Sequence, residues 1–369
     1  NYDATRAYVT SNVRDGSLFI YDVSEPMAPE FISVLILSRS SLFHASAIAF
    51  AFLGSPSAVA TVAVAGEQGV GLFTVGDDQA VLFRSSAEYT GLTGVALSQT
   101  EPGLVLTTRD EGELFLFDAG SDLGSEADLS FVSSHQLQPY GGEGGKRPKI
   151  PYAVAFDGDY AYVVATPSPM TCEDEGGTYA CASPTSLLSF RHTYTPTPVT
   201  NVQITDRFER GTTLKKPVGV AVGAVVRDGI RDETFAYVVT GDEKIVGFEV
   251  VNKDGAPALK YSGEIMGPQD DLELTDGAYA VEDDPDVLAN PTSIVLSTDG
   301  AYAYVGLGMK GGRGCGLTVI DVLDGGTPSL AGSMRNCVSG NGLRNVVDVA
   351  VARALLVLAV VLVALAPPP

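Results

Sequence analysis

The chain has 369 residues with Gly 41, Pro 21, no Trp, 45% hydrophobic and 18% charged residues, which is the balance of turn-rich β structure and excludes disorder. A formal net charge of −22 and a pI near 4.4 exclude nucleic acid and anionic lipid as partners, because both would be repelled across a Debye length of roughly 8 to 10 Å. The length could hold two average domains, yet one repeat running through residues 1–353 favours a single body, with 354–369 set apart as an apolar tail.

Taken in order, the chain opens on AYVTSNVRDGSLFIYDVSEPMAPEF, Ala7 to Phe31, and the rest reads as imperfect copies of it. Four strand types recur. The opening type, rich in Val and Ala, is ASAIAFAF at Ala45, LTGVALSQ at Leu92, YAVAF at Tyr152, PVGVAVGAV at Pro217, PTSIVLST at Pro291 and NVVDVAVA at Asn345. The second is AYVT at Ala7, VATVAVAG at Val59, LVLTTRD at Leu104, YAYVVAT at Tyr160, FAYVVTGD at Phe235 and YAYVGLG at Tyr302. The third runs from LFIYDVSE at Leu18 to LTVIDVLD at Leu317, and a more polar fourth closes each unit, as in EFISVLIL at Glu30.

Near-continuous apolar inner strands and a polar outer one describe a propeller blade, whose inner strands are buried on both faces. The expected fold is therefore an all-β propeller of four-stranded antiparallel blades. The first copy lacks an opening strand, and NVVDVAVA near the other end is an opening strand without a blade. Pairing the two closes a six-bladed ring and removes exposed sheet edges; ALLVLAV at Ala354 would make it seven if it adds a further strand. Extra length falls in the loops Tyr140 to Pro151, Cys172 to Cys181, Arg207 to Lys216 and Gln269 to Asp286, where loop entropy tolerates it. Asp-Gly pairs, as in TDG at Thr298, supply the positive φ of tight hairpins.

The tail ALLVLAVVLVALAPPP is a short apolar run, whereas a membrane helix needs about 20 apolar residues. It reads as a strand on the propeller, as a strand donated to a neighbouring molecule, or as an anchor, and only the last would bring a membrane partner. The chain opens at Asn1 with neither Met nor leader, the pattern of a processed secretory chain or of a fragment.

At Leu18 to Pro29, LFIYDVSEPMAP, and again at Leu317, LTVIDVLDGGTP, the chain resembles the LVIVD repeat of bacterial and archaeal surface propellers. AYVTSN at Ala7, with YAYVVAT and FAYVVTGD, is similar to the YVTN group. These resemblances imply an extracellular β-propeller with no single shared activity, and supply no catalytic residues.

Cys172, Cys181, Cys315 and Cys337 form two sequence-local pairs. Four cysteines allow three connectivities, of which local pairing is the simplest, and disulfides imply an oxidising compartment. His44, His135 and His192 fall in different units. No GxSxG elbow or phosphate-cradling loop is present, and no catalytic residue is nominated. The densest chemistry is acidic: Asp270, Asp271, Glu273, Asp276, Glu282, Asp283, Asp284 and Asp286 crowd one loop. Such a loop either holds a hard cation such as Ca²⁺, which takes six to eight oxygens, or is a solvated acidic loop. Together these features point to a non-catalytic, extracellular or cell-surface module that binds other protein subunits or itself through its tail. The alternatives are a Ca²⁺-dependent propeller hydrolase of the phosphatase or lactonase type and a ligand-binding propeller.

Overall fold

The computed structural model describes the strands given below, the connections 89–91, 110–112, 241–243, 287–290, 297 and 300–301, and the flanking residues 23–24, 98, 119, 129, 137, 214, 308, 322 and 328. These strands form six sheets of at least four strands, antiparallel except for one short edge strand, plus one two-stranded hairpin. From the inside out, blade 1 is Val346–Arg353, Ala4–Ser11, Ser17–Asp22 and Glu30–Ile36. Blade 2 is Ala45–Leu53, Val59–Gly66, Gly69–Val75 and Ala80–Ser86. Blade 3 is Leu92–Leu97, Leu104–Arg109, Glu113–Asp118 and Ser130–Gln136. Blade 4 is Lys149–Asp157, Tyr160–Pro167, Ser186–Arg191 and Gln203–Glu209. Blade 5 is Pro217–Arg227, Ile230–Thr240, Lys244–Lys253 and Ala256–Met266, extended by a short parallel strand, Ala278–Ala280. Blade 6 is Pro291–Leu296, Tyr302–Leu307, Gly316–Asp321 and Ser329–Arg335.

The closure expected from the incomplete first copy is present. Val346–Arg353 pairs antiparallel with Ala4–Ser11, placing Val351 opposite Ala7 and Val349 opposite Val9. Both termini of the repeat thus share blade 1, and the blades ring a central channel bordered by their innermost strands.

Each blade carries the same two irregularities. One extra residue interrupts the start of every innermost strand, at Ser46, Thr93, Tyr152, Val218, Thr292 and Val347. Another interrupts the fourth strand of every blade, at Ile32, Phe83, Val132, Thr205, Ser262 and Ala331, which is the edge strand in every blade but the fifth. A bulge twists its strand and spoils it as a template for a foreign edge, which the outermost strands need most.

Between the blades lie apolar layers, such as Val95, Phe115 and Phe117 against Ala63 and Leu72, and Ile294 and Val305 against Tyr237 and Val239. The recurrent Ala-Tyr-Val of the second strands has a plain cause. Tyr8, Tyr162, Tyr237 and Tyr304 occupy one register position and are all buried. The Tyr237 hydroxyl donates to the Val322 carbonyl of the next blade at 3.5 Å. The Asp-Val-Ser ending of the third strand is an Asx turn, with Asp22 Oδ1 accepting from the Ser24 amide at 2.8 Å while Val23 is fully buried.

Three expectations change. Arg207–Glu209 is not turn: it completes the outermost strand of blade 4, because Phe208 pairs with Leu187. The innermost strand of the same blade begins at Lys149, within the Tyr140 to Pro151 connection. The Cys172 to Cys181 segment is a hairpin, Met170–Asp174 with Gly177–Cys181, Glu173 standing opposite Thr178. Among the described residues no helix is long and apolar enough to cross a membrane.

Candidate functional site

The channel at the ring's centre has a volume of about 380 Å³. Its wall is built from the innermost strands, so the residue that follows each bulge comes to one level: Ala47, Gly94, Ala153, Gly219, Ser293 and Asp348. Five are small and neutral, which lets the strands crowd together. A Cβ at Gly219 would stand 2.9 Å from the Ile294 amide nitrogen of the next blade, and one at Gly94 would stand 3.2 Å from the Ala153 Cα. The sixth, Asp348, is the exception.

Asp348 Oδ2 accepts from the Ile48 amide of blade 2 at 2.6 Å, and Oδ1 accepts from the Val349 amide at 2.8 Å. One carboxylate therefore ties the C-terminal strand to the next blade, 300 residues away in sequence. The group lies deep in the protein but retains some exposure, because it borders the channel. Desolvation raises its pKa to about 7, outweighing the two amide bonds that favour the charged form. The Ser293 hydroxyl is close enough to favour that form slightly, yet it makes no hydrogen bond of good geometry.

The bonds to Asp348 also reveal which way the wall's backbone points. In an antiparallel ladder a residue's N–H and C=O face the same side. The Ile48 amide turns from its own blade toward the channel, so the residues at the same register place, Val95, Val154, Val220, Ile294 and Val349, present their backbone polar groups there too. Asp157 is a second carboxylate of the wall, but it stands four positions beyond the Ala153 level, about 13 Å at strand rise. The described lining includes no Lys, Arg or His.

The residues singled out from the sequence fall elsewhere. The eight carboxylates Asp270, Asp271, Glu273, Asp276, Glu282, Asp283, Asp284 and Asp286 lie outside the described residues, as do Cys315, Cys337, His44, His192 and the tail. In the hairpin beside blade 4, the backbone of Cys172 pairs with Tyr179 and that of Cys181 with Met170. His135 sits on the outermost strand of blade 3, opposite Leu114, and burial lowers its pKa. Among the described residues no group of three or more His, Cys, Asp or Glu is placed to hold a metal. Asp348 was missed by sequence reasoning. Its signal was there, as the one charged residue inside NVVDVAVA, an otherwise apolar innermost strand.

No family model matches the chain, and no curated protein matches it. Solved structures do. A candidate 6-phosphogluconolactonase from Bacteroides uniformis is 16% identical over 90% of this chain and 82% of that one, with a TM-score of 0.51. The periplasmic gluconolactonase of Pseudomonas aeruginosa is 11% identical over 94% and 98%, also with a TM-score of 0.51. The β-propeller domain of Cps50 from Myceliophteria thermophila is 12% identical over 87% and 81%, with a TM-score of 0.47. At these identities the likeness is one of fold, that of a β-propeller.

Proposed function

We propose that this β-propeller is a non-catalytic binding module that works outside the cell, in an assembly with other protein subunits, and seats a small ligand in its central channel. The observation that carries the ligand seat is the channel wall: apolar side chains, inward-facing backbone groups and one deep carboxyl whose pKa is raised by desolvation. That combination is the general mark of a binding site. The geometry does not favour acid–base chemistry. The two carboxylates of the described wall are about 13 Å apart along the strands, too far to share one reacting bond as general acid and base. The extracellular setting rests on the disulfides expected of the two sequence-local cysteine pairs and on the resemblance to surface propellers.

A second reading is hydrolysis of a lactone. The solved gluconolactonases of the same fold suggest the substrate class, and one carboxyl held near neutrality could serve as a base. Turnover of a panel of sugar lactones and phosphoesters, with and without added Ca²⁺ and with chelator, separates the two. The binding reading expects no turnover above the uncatalysed rate. Saturable turnover that is lost in Asp348→Asn would replace it with the hydrolase.

A further inference from the structure

We propose that the channel's ligand is a small organic ammonium compound, seated with its charged nitrogen against Asp348 and its apolar body across the lumen. The inference rests on the binding reading above and adds the chemical class.

Charge selects the sign. The described lining holds two carboxylates, Asp348 and Asp157, and no cationic side chain, on a chain whose net charge is −22. A carboxylate taken out of water and held by two backbone amides has no cationic side chain beside it among the described residues, and a ligand cation supplies the counter-charge. The bonding capacity fits as well. A carboxylate offers about four lone-pair directions, and the Ile48 and Val349 amides use one on each oxygen. Asp348 also lines the channel, where inward-turned carbonyls of the innermost strands can accept the other N–H groups of an ammonium.

Shape then selects an organic cation over a metal ion. A hard divalent ion wants six to eight oxygens with several carboxylates, and this level of the channel has one carboxylate. The other five positions of the level, Ala47, Gly94, Ala153, Gly219 and Ser293, are uncharged, and a channel of about 380 Å³ is far larger than a bare ion fills. Blade 4 lies opposite blade 1 in the ring, which places Ala153 across the lumen from Asp348.

The test is titration calorimetry and thermal shift on the intact protein with n-butylammonium, with 1-pentanol as the neutral probe of similar shape, and with acetate. At pH 8 the amine should bind saturably and raise Tm. Binding should weaken at least tenfold at pH 5.5, where Asp348 is protonated, and also in Asp348→Asn at pH 8. The pH comparison is made on the unaltered chain and so supplies the control if the Asn variant does not fold. Equal binding of amine and pentanol would overturn the ammonium class while leaving the channel as a ligand seat. Acetate binding in place of the amine would overturn it too, showing that the inward amides are the recognition element. If none of the three binds, both the class and the channel reading fall.

Discussion

At the scale of single residues, Asp348 governs how stability should respond to pH. Its carboxyl has an unfolded value near 3.8 and a folded value of about 7, so the folded state holds a proton that the unfolded state has released between those values. Stability from this group is present below the unfolded pKa and is lost as pH rises through about 7. Asp348→Asn should therefore unfold at higher urea than the wild type at pH 8 and show little advantage at pH 4, with a difference on the order of 3 to 4 kcal/mol at most. Urea midpoints at the two pH values check the sign. An Asn variant that is less stable at pH 8 would show that the ionised carboxylate is needed as the tie between the blades.

Tyr237 is a second residue with a separable role. Burial, and secondarily the Asp321 carboxylate, hold its phenol in the neutral form. Tyr237→Phe removes only the long bond to Val322 and should cost about 1 kcal/mol or less. Tyr237→Ala empties the layer between blades 5 and 6 and should cost roughly 3 to 5 kcal/mol. Equal losses in denaturant melts would contradict the packing account of the Ala-Tyr-Val repeat.

At the scale of elements, the blades are alike where it matters mechanically. The inner bulge brings one residue of each innermost strand to the channel level, and the outer bulge protects the exposed edge in every blade but the fifth. The turn between the first two strands of blade 6 shows how tightly such a unit fits. Gly300 has φ +69, and a Cβ there would lie 2.3 Å from the Ala224 carbonyl oxygen. Gly300→Ala should cost roughly 2 to 4 kcal/mol, since strain and clash add, and should melt earlier by circular dichroism. The Asp-Gly signal made this turn legible in the sequence. The inner bulges were not legible, because strands buried on both faces are near-continuously apolar and show no alternation whose phase an extra residue could shift.

At the scale of the whole molecule, the ring is held shut by blade 1, whose innermost strand comes from the far end of the repeat. Removing residues 345–369 strips Ala4–Ser11 of its inner partner, leaving only Ser17–Asp22 beside it, and takes away the Asp348 tie to Ile48. The truncated chain should lose the intact protein's cooperative thermal transition, and one that melts as the intact chain does would disprove closure by the termini. The outermost strand of blade 1 shows what the ring leaves open, since Phe31, Ile32 and Val34 are all exposed there, with Ile32 at the bulge.

By itself the sequence determined the β class, the four-strand repeat and the pairing of its two ends, because these follow from local apolar periodicity and from counting strands. Only the tertiary structure decided which residue of each innermost strand meets the channel, and so brought Asp348 to notice. The reason is physical: a carboxyl's pKa and partners depend on what surrounds it, and the amide that holds Asp348 comes from a strand 300 residues away.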